Sequence, residues 1–264
     1  MSATVIDGGL VHYEAFGRGR GSPIVFIHGW LGSWRYWMPT MEAMAAIDHP
    51  VYALDLWGFG DSDKTKERYD VQSYIDLLAS FINHLGIDKP VLVGHALGAA
   101  IALEYSSQHP KQVHKIMAVS LPFTAEAVSR RLVDFTKNSM MSRVLWWRQI
   151  SFREVQDETE KVNDQAITTS VASLAKLDIP ARVKQSSVPI LVVYGEKDNI
   201  VTPTLVPDLN GNPLNVHPLP LPDIKHFPML EDSARFSRLL KDFVDLDGKL
   251  SELTPKSEWR RRTR

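Results

Sequence analysis

The run Val91-Leu92-Val93-Gly94-His95-Ala96-Leu97-Gly98-Ala99-Ala100 joins an apolar strand-like segment to a helix-like one through Gly-x-Ala-x-Gly. A turn this sharp holds its middle residue in a strained backbone conformation above the sheet. Side chains two positions either side would collide with neighbouring backbone, hence the two glycines. With Ser in place of Ala96 this is the Gly-x-Ser-x-Gly elbow that presents a nucleophile. The chain keeps the elbow and lacks the hydroxyl. Two further residues could serve such a position. Asp198 follows the apolar run Ile190–Tyr194 in the turn Gly195-Glu196-Lys197-Asp198. Taken alone, it reads equally as a carboxylate partner or as the cap of a helix starting near Pro203. His226 lies 28 residues further on, past the last strand-like run, Asn215–Leu221. That placement favours a general base over an ordinary surface histidine.

These residues need a scaffold. Leu10–Phe16, Pro23–His28, Val51–Asp55, Val91–Gly94, Ile116–Ser120 and Ile190–Tyr194 are short runs, mostly β-branched and without alternation. Strands buried on both faces read this way. Helix-like stretches at Tyr36–Ile47, Val71–Leu85 and Leu97–His109 separate them. The alternation predicts an α/β fold, a mostly parallel central sheet flanked by helices. It breaks after Pro122. From Phe123 to about Ser187 the chain is helix-compatible, holds no sheet-like run, and is too long for a loop. Phe135, Met140, Met141, Leu145, Trp146 and Trp147 make it bulky and apolar. The expected organisation is a core of residues 1–122 and 188–252, an inserted helical cap at 123–187, and a basic tail at 253–264.

The chain resembles the α/β-hydrolase fold family, in its branch with a helical cap after the sixth strand. The resemblance covers nearly the whole chain. It rests on His28-Gly29-Trp30, on Asp55-Leu56-Trp57-Gly58-Phe59-Gly60-Asp61-Ser62, on the elbow, on Gly195-Glu196-Lys197-Asp198 and on His226-Phe227-Pro228-Met229-Leu230-Glu231. It implies a triad in the order nucleophile position Ala96, acid Asp198, histidine His226. It also implies an oxyanion hole made by the amides of Trp30 and Leu97. Leu97 opens a helix, where free N–H groups and the helix dipole favour negative charge. Phe123, Trp146 and Val201 are candidate walls of the substrate pocket. His28 and His95 are read as orienting backbone, and Asp55 to Ser62 as a turn shaping one wall of the site.

Composition narrows the function. Of 264 residues, 44% are hydrophobic and 23% charged, which excludes a disordered chain. The absence of cysteine excludes a thiol nucleophile and a thiolate metal site and fits a reducing cytoplasm. Lys256, Arg260, Arg261, Arg262 and Arg264 leave the rest of the chain net acidic, against a nucleic-acid partner. No run is long and apolar enough to span a membrane, and no basic-then-apolar leader is visible. His12, His49, His84, His109, His114 and His217 lack partners at metal spacing, and no dinucleotide or phosphate-loop motif occurs. Neither metal nor cofactor is expected.

The resemblance implies a carboxylic-ester hydrolase acting on a small hydrophobic ester through an acyl-enzyme. A C–C bond hydrolase, a lactonase and a cofactor-free dioxygenase share the layout. Epoxide hydrolases and haloalkane dehalogenases place Asp at the elbow and fit less well. Ala96 has two readings, a deliberate Ser-to-Ala exchange that inactivates a hydrolase and a natural non-catalytic ligand-binding protein. Retention of Asp198 and His226 favours the first.

Overall fold

Four strands, β3 (Ile24–Ile27), β4 (Val51–Leu54), β5 (Val91–His95) and β6 (Lys115–Val119), are buried almost throughout. With both faces covered, the sheet needs helices above and below. The structure, a computed structural model, describes residues 2–65, 68–130, 132, 151–203 and 215–253. β1 (Ser2–Ile6), β2 (Gly9–Phe16), β7 (Ile190–Gly195) and β8 (Val216–Leu221) complete one eight-stranded sheet in the order β1-β2-β4-β3-β5-β6-β7-β8. β1–β2 and β2–β4 are antiparallel and every other pair is parallel. The expected mostly parallel sheet is therefore present. It has one strand more than the sequence reading assigned. Asp7 and Gly8, both at positive φ, fold Ser2–Ile6 back on β2 as an edge hairpin.

The helices follow the expected rhythm. A 3₁₀ turn at Trp34–Trp37 leads into α1 (Met38–Ala45); α2 is Val71–His84 and α3 is Leu97–Gln108. Between β6 and β7 lie α4 (Arg153–Thr159), α5 (Asp164–Leu174) and α6 (Ile179–Gln185). After β8 come α7 (Pro228–Glu231) and α8 (Ser233–Asp245). The stretch after Phe123 does touch β-type pairing once. Val128 and Val201 form an isolated antiparallel bridge outside the sheet, a single pair and not a strand. Met140, Met141, Trp146 and Trp147 lie outside the described residues.

Residues of α4 and α5, and of the turn joining them, are tied to the loops above the sheet. Arg35 pairs with Asp61 at 2.8 Å and Glu158 at 3.2 Å, and Lys161 pairs with Glu158 at 2.9 Å and Asp61 at 3.2 Å, closing a four-charge ring. Asn163 N–H donates to the Gly58 carbonyl at 2.8 Å.

A buried cation anchors the other side. Lys115, on β6, donates from Nζ to the carbonyls of Phe243, Val244 and Leu246 at the end of α8. These are carbonyls a helix terminus leaves unpaired, and the helix dipole favours a cation there. Lys115→Met is expected to lower unfolding stability by about 2 kcal/mol, the range for hydrogen bonds to a charged group. Urea unfolding at neutral pH measures it; a loss below ~0.5 kcal/mol would show that water replaces the ammonium without cost.

Candidate active site

The elbow adopts the conformation that its glycines anticipate. Ala96 sits at φ 50, ψ −109, a positive φ that costs a non-glycine residue energy and persists only where packing enforces it. Enforcement comes from close approach. A Cβ on Gly94 would stand 2.3 Å from the Gly98 carbonyl oxygen, and one on Gly98 would stand 2.2 Å from the Ile27 carbonyl oxygen. α3 thus packs against β3 at backbone distance, and Ala99 and Ala100 are fully buried beside it. The Ala96 N–H donates to the Val119 carbonyl at 2.9 Å, binding the turn to the end of β6.

Asp198 and His226 come from loops after β7 and β8, and the fold brings them together. His226 Nδ1 lies 2.8 Å from Asp198 Oδ2, with both side chains buried. The other carboxylate oxygen, Oδ1, accepts the N–H groups of Ile200 at 2.8 Å and Val201 at 2.9 Å. One oxygen of Asp198 thus holds the turn at Ile200 and Val201 and the other faces the histidine, while the helix start expected near Pro203 runs into residues outside those described. Burial alone would raise the Asp198 carboxyl. The facing His226 and the two backbone donors outweigh burial and hold it below the usual carboxylate range. Because the carboxylate accepts, Nδ1 carries the proton and Nε2 is left as the basic nitrogen of a neutral ring.

The Trp30 amide is oriented by its neighbours. His28 Nε2 accepts the Leu56 N–H at 3.0 Å, so Nδ1 is the protonated nitrogen and donates to the Gly29 carbonyl at 2.8 Å. The Gly29–Trp30 peptide is trans, so the Trp30 N–H points away from that carbonyl. A Cβ on Gly29 would stand 3.0 Å from the Ala96 methyl, which puts this loop directly against the elbow. Among the described residues neither the Trp30 nor the Leu97 N–H has an acceptor. The Trp30 indole donates to Ser170 Oγ on α5 at 2.9 Å. Of the expected walls, Phe123 and Val201 are buried and Trp146 lies outside the described residues.

Burial pushes both His28 and His95 below the ordinary histidine range, His95 furthest. The unfolded chain takes up protons near pH 6.5 that the folded chain refuses. Stability is therefore full above neutrality and falls as pH drops through about 6.5. His114 and His217, lowered by burial but less enclosed, act in the same direction. Urea midpoints are expected to fall between pH 7.5 and 5.5, and less steeply in His95→Gln. Equal slopes in the two chains would exclude His95 as a source.

Tyr36 escaped the sequence reading, since nothing near it marks it out. Its hydroxyl accepts the Gly29 N–H at 2.7 Å and lies 3.0 Å from His95 Nδ1. Asp55 organises the turn that it opens. Its oxygens accept the N–H groups of Trp34 at 2.8 Å and Asp61 at 2.9 Å. Among the described residues, His12, Asp55 and Asp61 form the one group whose ligand atoms lie close enough together to resemble a cation-binding cluster. Asp61 already faces Arg35 and Lys161, so a metal there would compete with two resident cations.

Comparison with known proteins agrees with this architecture. Residues 22–147 match the family profile described as alpha/beta hydrolase fold. The acetyltransferase component of the acetoin cleaving system of Pseudomonas putida is 24% identical over 257 residues, 90% of this chain and 68% of that protein. A soluble epoxide hydrolase from Corynebacterium is 31% identical over 117 residues, 44% of this chain and 40% of its own length. The crystallised esterase from Exiguobacterium antarcticum superposes with a TM-score of 0.80 at 19% identity, covering 92% of this chain and 98% of that one. With a sheet of this order, an elbow of this conformation and the profile matched over residues 22–147, the chain has the α/β-hydrolase fold.

Proposed function

We propose that the site is that of a carboxylic-ester hydrolase whose nucleophile position is occupied by Ala96. Its substrate is a small hydrophobic ester, held beneath a cap formed by residues 123–187. The observation that carries the reading is the 2.8 Å pair of His226 Nδ1 and Asp198 Oδ2 beside a strained elbow. With Ser at position 96, its oxygen attacks the ester carbonyl while His226 Nε2 takes the proton. The Trp30 and Leu97 amides hold the oxyanion. The alcohol leaves with the proton from His226, and water, activated by the same ring, hydrolyses the acyl-enzyme. With Ala at 96 the acyl-enzyme cannot form, and the chain binds the ester without consuming it.

A lactone or a C–C bond between carbonyl groups would use the same groups, and a natural ligand-binding protein would use the pocket alone. An epoxide hydrolase is less favoured, because it needs a carboxylate at the elbow. The test is Ala96→Ser, assayed on p-nitrophenyl esters, lactones and diketones. Hydrolysis of esters supports the reading. A folded variant no faster than background on all three substrate classes overturns it.

A further inference from the structure

Three hydrogen bonds connect the two halves of the site through two side chains, Tyr36 and His95. The Gly29 N–H donates to Tyr36 Oη at 2.7 Å, Tyr36 Oη lies 3.0 Å from His95 Nδ1, and His95 Nε2 lies 2.8 Å from the His226 carbonyl oxygen. Only one proton arrangement satisfies all three. The His226 carbonyl can only accept, so His95 Nε2 carries the proton. The His95 ring is neutral, so Nδ1 is bare and accepts the Tyr36 O–H. The tyrosine oxygen then accepts Gly29. Burial favours this state twice over, pushing His95 well below and Tyr36 well above their ordinary ranges. The ring is enclosed by His226 at 4.5 Å, Phe227 at 5.3 Å and Tyr36 at 5.5 Å between centroids.

We propose that His95 is a positioning residue, a neutral imidazole strut that sets the His226 main chain at a fixed distance from the Gly29 end of the oxyanion loop. The role rests on the hydrolase reading of the site. Asp198 holds the His226 ring, and the Glu231 carboxylate accepts the flanking N–H groups of Lys225 at 2.8 Å and Phe227 at 2.9 Å, which leaves the His226 carbonyl to His95. The strut fixes the carbonyl between those two N–H groups. His28 fixes the carbonyl side of Gly29 and Tyr36 fixes its N–H, so one rigid frame carries both the expected oxyanion amide and the expected base. A displacement of about 1 Å between such groups costs on the order of 10²-fold in rate.

Two substitutions separate the ends of the strut. His95→Gln places an amide N–H where Nε2 was and keeps the bond to the His226 carbonyl. His95→Asn places an amide oxygen where Nδ1 was and keeps only the bond to Tyr36. In the Ala96→Ser background kcat is expected to fall ~10²-fold in His95→Asn with KM unchanged, and by less than ~10-fold in His95→Gln. In the Ala96 chain, proton NMR of the His226 Nδ1–H, which Asp198 shields from exchange, reads the same geometry without catalysis. That resonance is expected to persist in His95→Gln and to broaden away in His95→Asn. Tyr36→Phe, which deletes one oxygen from the other end, is expected to lower kcat with KM unchanged. Equal behaviour of the Gln and Asn variants, in kcat or in the resonance, overturns the strut, as does a Tyr36→Phe variant with full kcat. If Ala96→Ser hydrolyses nothing, the hydrolase reading fails while the resonance still decides the role of His95.

Discussion

On the proposed ester-hydrolase function, Ala96→Ser is expected to turn over esters that the Ala96 chain only binds, with a gain in kcat approaching ~10⁶-fold, the cost of removing a nucleophile from an intact triad. The magnitude follows from what is already present. His226 is paired with Asp198, and the turn is at positive φ with Gly94 and Gly98 at backbone contact. Replacing one hydrogen of a methyl group by a hydroxyl changes little of the packing, so the gain appears in chemistry rather than in folding. Steady-state hydrolysis of p-nitrophenyl acetate and butyrate measures it. Calorimetry with the same substrates and the Ala96 chain should give a comparable Kd to the KM of the variant, provided acylation is slow. Rapid turnover by the Ala96 chain itself would mean that the nucleophile lies elsewhere.

Asp198→Asn in the Ala96→Ser background is expected to lower kcat by about 10⁴-fold, as the same exchange does in a serine protease. The loop dictates the outcome. Oδ1 accepts two backbone N–H groups, from Ile200 and Val201, so the oxygen of the new amide must stay on that side. The amide nitrogen then faces His226 Nδ1 and donates to it. Nδ1 becomes the acceptor, the ring proton moves to Nε2, and the base required by the nucleophile is gone. Because the carboxylate is held below its usual range, the native pair also contributes stability above about pH 4 that is lost as pH falls further. Asn at 198 should remove that acid-side slope. A variant with kcat within tenfold of the parent would show that another acid serves His226.

Much of this protein is decided by short stretches of sequence. β3 to β7 are legible as apolar runs because a strand buried on both faces admits no polar alternation. The elbow is legible because no residue with a Cβ fits at 94 or 98, whatever the rest of the chain does. Asp198 and His226 are recognisable by position, each just past a strand. What the sequence left open depended on distance along the chain. Asp198 read equally as a carboxylate partner or as the cap of a helix near Pro203, and only folding brought His226 to its Oδ2 while Oδ1 took the N–H groups of Ile200 and Val201. Tyr36 and His95 are 59 residues apart, His95 and the His226 carbonyl 131, Trp30 and Ser170 140. No local pattern of types records such pairings, because each residue is ordinary in its own segment. Burial makes them obligatory, since a buried N–H or imidazole nitrogen without a partner is costly and packing selects the arrangement in which each finds one. The edge hairpin at Ser2–Ile6 and the Val128–Val201 bridge are tertiary in the same sense, as each strand-like segment is stable only against the partner that the fold supplies.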